Sequence, residues 1–395
     1  MEFKGMKSKL IQSFGNEAKV LRILDKMKKE AKPGEIIYDF SIGSPDGIPE
    51  TEIVETMEQE IGKDNNHRYA NRWGHKLFNE SVANWYKKRY DVSLDPKSEI
   101  IPLAGARRTI IDMAMNFVSD GEGVLVPNIS YPTYRVATKT ARGVQHEYRL
   151  DPKNDFKPVY EDMDRNDCKL LFANYPHNPT GSAGGLDVYE NISKVAKKTG
   201  VIVCHDNAYG EIVFDGRTPT SFLQAKDAKS VGVEIFTFSK LFNIAGWRIA
   251  CMVGNPDIIH SFGEFLVDFS TGVYTPIQIA AAKALDVFFD RDIHNKQSKL
   301  YQERRDFAVK ELNKKGWKCF NAQGTMYIWA ELPIKDSLVF VKKLWEDKRV
   351  MLIPGVMYGD NLGKYVRLAL VGGDLEYLKN ALNQIPSIDS PLYDC

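Results

Sequence analysis

The 395 residues carry 53 basic and 52 acidic side chains, a net charge of +1, and 43% of them are hydrophobic. That length allows two or three structural units with sizeable cores, while the balanced charge removes any electrostatic reason to expect nucleic acid or an acidic membrane surface as partner. Five cysteines (Cys168, Cys204, Cys251, Cys319 and Cys395) stand far apart with no C-x-x-C pair, a usage that suits a reducing compartment.

In chain order, the charged first 20 residues lack the apolar core of a signal peptide. No stretch approaches the roughly 18 uninterrupted apolar residues of a membrane span, and a cytoplasmic protein is expected. Val20, Ile23, Leu24 and Met27 recur at helical spacing, which predicts an amphipathic helix within residues 1–35, ending near Pro33-Gly34. IIYDFSIGSPDGIPE then reads as a short strand entering a loop. Residues 51–90 are helical at both ends, with the loop HRYANRWG between them.

From about residue 100 short apolar runs alternate with helical segments: GVLVP (123–127), KLLFANYP (169–176), GVIVCHDN (200–207) and GVEIFTFSK (232–240). Between the second and third lies LDVYENISKVAKKTG, amphipathic and closed by Gly200. Such alternation predicts crossover units and a mainly parallel sheet. Residues 279–313 are helical again, and the tail mixes strands (MYIWAEL, KYVRLAL) with helices (LVFVKKLWEDK, LEYLKNALNQI). The expected architecture is α/β, with a large domain over 46–284 and a smaller α+β domain from 1–45 and 285–395. No internal repeat or low-complexity tract interrupts it.

In open α/β sheets ligands bind beyond the carboxyl ends of the strands. One run here ends in Asn174-Tyr-Pro-His-Asn178-Pro-Thr-Gly181, the next in His205-Asp206-Asn-Ala-Tyr209, and the last in Thr237-Phe-Ser239-Lys240, followed by Gly246-Trp-Arg248. A lysine, an acid, an arginine, a tyrosine and an asparagine would thus converge on one edge. Pyridoxal phosphate needs such a set: a lysine for its aldehyde and an anion for its pyridine nitrogen. Lys240 could supply the first and Asp206 the second. Arg248 and Thr237 could hold the phosphate, and Asn178 and Tyr209 the ring oxygen. Taken singly, each has a plainer reading: Lys240 as a solvated helix-start residue, Asp206 as a turn or cap, NPTG as an ordinary turn. Their joint placement at successive strand ends is what those readings leave unexplained.

These motifs, with Pro354-Gly355 and Tyr365-Val-Arg367-Leu in the tail, resemble the class I/II aminotransferases, fold type I of the pyridoxal-phosphate enzymes. The resemblance spans nearly the whole chain and implies a seven-stranded, mainly parallel sheet flanked by helices. It implies further that Lys240 is the Schiff-base lysine, Asp206 the partner of the pyridine nitrogen, and Asn178 and Tyr209 the ring-oxygen contacts. Tyr131 would stack on the cofactor, and Gly105-Ala106-Arg107 would offer amides to the phosphate, with Thr237, Ser239 and Arg248 beside it. Arg367, aided by Gly43 and Asn178, would grip the substrate α-carboxylate, and Tyr69 would reach the phosphate of a neighbouring subunit in a homodimer. A ping-pong exchange between an L-amino acid and a 2-oxo acid follows, with no metal.

GSPDGIPE, NHRYANRWG, YTPIQIAAAKAL and GTMYIWAELP are most similar to the alanine (glutamate–pyruvate) and LL-diaminopimelate aminotransferases. Glutamate/2-oxoglutarate with alanine/pyruvate is the expected pairing and LL-diaminopimelate the alternative; a C–S β-lyase is a further one. The chain departs from the common Gly-Ser-Lys at Gly105-Ala106-Arg107 and from serine at Thr237, and Arg107-Arg108 and DFSTGVY (268–274) are unusual near the expected entrance. A regulatory protein on the same fold would need a DNA-binding segment that the mixed-charge N-terminus does not supply. Neither a dinucleotide fingerprint nor a phosphate loop occurs, GEGVLV (121–126) lacking the third glycine, and no histidine pairs with cysteine at ligand spacing.

Overall fold

The computed structural model describes Leu10 and residues 16–395. Residues 1–9 and 11–15, most of the part read for a signal peptide, lie outside the described residues.

Seven strands build the main sheet: β1 (Ile100–Leu103), β2 (Gly123–Pro127), β3 (Val144–Tyr148), β4 (Cys168–Ala173), β5 (Ile202–Asn207), β6 (Gly232–Thr237) and β7 (Ala250–Gly254). Their order is β1-β7-β6-β5-β4-β2-β3. Neighbours run parallel except β7, which is antiparallel to both β6 and β1. The fold type I expectation is met. β2, β4, β5 and β6 were legible because a parallel strand covered on both faces is apolar almost throughout; every residue of β6 is buried. The other three hide for physical reasons. β1 carries Pro102, which an edge strand tolerates because one side of its backbone needs no partner. β3, the opposite edge, is the half-exposed Val-Gln-His-Glu-Tyr. β7, Ala-Cys-Met-Val-Gly, is buried throughout but has only one of the β-branched or aromatic residues that mark strands.

The sheet divides two apolar cores. Val124, Val126, Leu170, Phe172 and Cys204 point into one; Leu125, Leu171, Ala173 and Val203 point into the other, as the two-residue period of a strand requires. Helices cover both faces. The single helical stretch read at 279–313 is two helices, Thr275–Asp290 and Ile293–Lys314, broken where Asp292 takes a left-handed φ of +49°. No glycine or proline marks that break.

Beyond it, β8 (Lys318–Cys319), β9 (Tyr327–Glu331), β10 (Ile353–Pro354) and β11 (Tyr365–Ala369) form an antiparallel sheet in the order β8-β9-β11-β10. Tyr38–Asp39 pairs in parallel with Val350–Met351. The Ala369 amide donates to the Phe40 carbonyl at 2.9 Å, so the segment around Gly43 is tied beside Arg367 on β11. The N-terminal helix, Asn16–Lys29, packs against Gly355–Met357. Among the described residues, no helix is long and apolar enough to cross a membrane.

Candidate active site

The carboxyl ends of β4, β5 and β6 deliver Asn174, Asp206 and Thr237 side by side, because the three strands are parallel neighbours in register. The chain continues from them to Asn178, Tyr209 and Lys240. β2 leads to Tyr131, the end of β1 to the helix Ala106–Phe117, and Arg248 precedes β7. A cavity of about 850 Å³ lies between this edge and β11. Gly43, Ala106, Arg107, Tyr131, Asn178, Asp206, Tyr209, Thr237, Ser239, Lys240, Arg248 and Arg367 all line it. Two residues on the expected roll do not. Gly105 sits behind the wall, and Tyr69 is 89% exposed, outside the cavity of its own chain.

Asp206 is buried, and burial raises its carboxyl to about 6 while the Tyr134 hydroxyl, donating to Oδ2 at 2.9 Å, pulls it back down. Its Oδ1 is buried without a partner. An orphaned carboxylate oxygen is costly unless something arrives to pair with it. Asn174 holds the same turn: its Nδ2 donates to the Asp206 carbonyl at 2.7 Å and its Oδ1 accepts from the Asn178 amide at 2.8 Å. Lys240 donates through Nζ to the Gly43 carbonyl and, among the described residues, forms no ion pair with a carboxylate. Burial, reinforced by Arg367 and Arg248, lowers its ammonium below the usual lysine range, as a nucleophilic or proton-moving lysine needs.

Arg367 is buried, its guanidinium 4.0 Å from the Tyr327 ring centre. Nη1 donates to Asn178 Oδ1 at 3.1 Å and Nη2 to the Ser41 carbonyl at 2.9 Å, whereas Nε is buried without an acceptor. The Tyr209 and Tyr327 hydroxyls are 2.9 Å apart. Gly43 is close enough to Tyr327 that a Cβ there would fall 2.0 Å from the phenolic oxygen.

At the other end, Gly105 caps the helix Ala106–Phe117 at φ +92° with no side chain over its first amides. A Cβ on Gly105 would meet Arg248 Nη2 at 2.3 Å, so the glycine makes room for that guanidinium. Uncovered first-turn amides beside an arginine suit an anion such as phosphate. The Thr237 hydroxyl accepts from the Ser239 amide at 3.3 Å, capping the turn that carries Lys240.

Three residues here received no role from the sequence: Tyr134, Asn174 and Tyr327. Asn174 and Tyr327 lay inside quoted motifs, but only the fold shows what they touch; Tyr134 follows Tyr131 by one helical turn. Two histidines inside these motifs, His177 and His205, are both buried. Burial lowers His177 to about 3, and His205 is 3.0 Å from Glu234 on the neighbouring strand. Away from the cavity lining, folding brings His146, Asp167 and Cys168 within 4.8 Å of one another, although Asp167 there is already bound by Arg165. Among the described residues this is the one such group, and the sequence spacing gives no sign of it.

An unpaired buried carboxylate oxygen, a lysine of lowered basicity and a glycine-capped helix start beside an arginine fit the three polar parts of pyridoxal phosphate: pyridine nitrogen, aldehyde and phosphate. Residues 35–385 match the family model "Aminotransferase class I and II". The chain is 35% identical to an LL-diaminopimelate aminotransferase of Dehalococcoides mccartyi over 90% of its own length and 92% of that relative. It is 34% identical to the transaminase BacF of Bacillus subtilis, with 93% of each chain covered. The apo structure of BacF superposes with a TM-score of 0.92 at 32% identity, covering 99% of this chain and 100% of that one.

Proposed function

The chain belongs to the class I and II aminotransferases, enzymes dependent on pyridoxal 5′-phosphate, and from that premise we propose how its own residues divide the work and which donor they serve. The observation that carries the division is the free Asp206 Oδ1 in the same cavity as a Lys240 without a counter-ion.

Bound in the cavity, the cofactor supplies an electron sink that weakens the substrate Cα–H bond. Lys240 would anchor it and hold the proton taken from the substrate Cα. Asp206, held in place by Tyr134 and Asn174, would keep the positive charge on the ring nitrogen. Tyr131 would pack on the ring, and Asn178 and Tyr209 would serve its oxygen. Ala106, Arg107, Thr237, Ser239 and Arg248 would hold the phosphate. Arg367 binds the α-carboxylate through a fork of donors, and the Ser41–Gly43 backbone closes that end. The exchange is ping-pong: one amino acid leaves as its 2-oxo acid before the second 2-oxo acid enters.

For the donor, the relatives named LL-diaminopimelate aminotransferase support LL-diaminopimelate with 2-oxoglutarate over the glutamate–alanine pairing expected from the sequence. The working unit is a homodimer in which Tyr69 reaches the partner's phosphate; Tyr69 at 89% and Ile48 at 88% exposure are apolar surface that a second copy would cover. A cytoplasmic location is supported by five cysteines without a disulfide.

The test is an absorbance spectrum of the cofactor-loaded protein with each donor in turn. Loss of the visible band with LL-diaminopimelate or glutamate, and its return with 2-oxoglutarate, is the expected result. Pyruvate and ammonia released from cysteine-like substrates, with the band unchanged, would instead make it a lyase.

A further inference from the structure

The helix Asn16–Lys29 turns one face to the cavity, with Leu21, Leu24, Asp25 and Lys28 all in its wall. Their spacing of i, i+3, i+4 and i+7 is that of a single helical stripe. Lys28 ties this stripe to the carboxylate end of the site. Its Nζ is 2.5 Å from Asp39 Oδ2 and donates to Ser41 Oγ at 3.1 Å, and the Ser41 carbonyl in turn accepts from Arg367. Ile42, Ile353 and Met357 join Leu21 and Leu24 in the lining, and Ile353 stands opposite Arg367 in the β10–β11 register. A substrate held at Arg367 by its α-carboxylate therefore meets a wall suited to methylene groups.

Asp25 differs from the rest of the stripe. It is exposed and lines the cavity, and its carboxylate has no hydrogen bond or ion pair among the described residues. Lys28, one turn on, pairs with Asp39 rather than with Asp25. A carboxylate without a partner beyond an apolar wall attracts a cation.

We propose that Asp25 is a specificity residue that receives a distal ammonium group, so that the amino donor is a diamino acid whose second amine is separated from the reacting one by several methylenes. The proposal rests on the placement of the α-carboxylate at Arg367 given above. LL-diaminopimelate and lysine both meet the description; norleucine offers the methylenes without the charge.

The test compares kcat/KM for LL-diaminopimelate, L-lysine and L-norleucine in the cofactor-loaded wild type and in Asp25→Asn and Asp25→Glu. The expected result is a preference for the diamino acids in the wild type, a fall of about tenfold in the lysine-to-norleucine ratio in Asp25→Asn, and its partial recovery in Asp25→Glu. Norleucine turnover in the same preparations separates lost recognition from a lost fold. A ratio that does not move in Asp25→Asn, or a wild type that prefers norleucine, would overturn the proposal. Failure of every donor in the wild type would remove the reading of the site itself, and the proposal with it.

Discussion

Tyr134 and Asp206 meet across 2.9 Å with both side chains buried, and the bond occupies one carboxylate oxygen while leaving the other without a partner. Tyr134 lies in the first turn of the helix Thr133–Thr140 and Asp206 at the end of β5, 72 residues apart. What the pair does for the site can be measured in several ways.

Removing the hydroxyl in Tyr134→Phe takes away the strongest influence holding the Asp206 carboxyl down against burial. The carboxyl then rises further, and the pH below which activity fails moves upward. Affinity of the cofactor-free protein for pyridoxal phosphate, followed by fluorescence titration, should weaken by about tenfold. An unshifted acid limb together with unchanged affinity would show that Tyr134 is only a packing residue.

Asp206 also makes a stability prediction. Burial lifts its carboxyl from 3.8 to about 6, so the folded, cofactor-free protein keeps a proton that the unfolded chain loses first. Stability should then be full below pH about 4 and decline as pH rises to about 6. Urea midpoints across that window should show the wild type losing on the order of 3 kcal/mol more than Asp206→Asn. Parallel curves for the two proteins would contradict this.

Lys240→Ala should abolish the visible band of the bound cofactor and reduce turnover by at least roughly a thousandfold. Full activity in that variant would dismiss the proposed chemistry.

On the proposed role of Arg367, replacing it by Ala would leave the α-carboxylate without its fork of donors. KM for α-amino acids should rise by about ten- to a hundredfold, with amines that lack the carboxylate affected far less. Equal losses for both classes would take Arg367 out of that role. Gly43→Ala should behave similarly at one remove, since its Cβ would lie 2.0 Å from the Tyr327 oxygen and push the backbone away from Lys240 and Arg367.

The proposed sharing of the site between two subunits can be tested by mixing. Tyr69→Ala and Lys240→Ala should each be inactive as homodimers, whereas re-paired mixtures contain one intact site per mixed dimer and recover about a quarter of wild-type activity. No recovery would argue that Tyr69 serves no neighbouring site.

The sequence alone determined a good deal. The both-sides-buried strands β2, β4, β5 and β6 announce themselves as apolar runs, because a strand with no solvent face has no reason to alternate. Their ends carry Asn178, Asp206 and Lys240 at fixed offsets, and parallel neighbours must present those ends together. Tertiary structure decided what local chemistry cannot encode. The edge strand β3 lacks an apolar signature because its environment, not its composition, makes it a strand, and β1, though apolar throughout, is masked by Pro102. Tyr134, Asn174 and Tyr327 became part of the site only when the fold placed their polar atoms against Asp206, Asn178 and Tyr209. The shift of Asp206 to about 6 and the lowering of Lys240 likewise arise from burial among specific neighbours. A residue's partners and its exclusion from water depend on chain segments far away in sequence, and only folding brings those segments together.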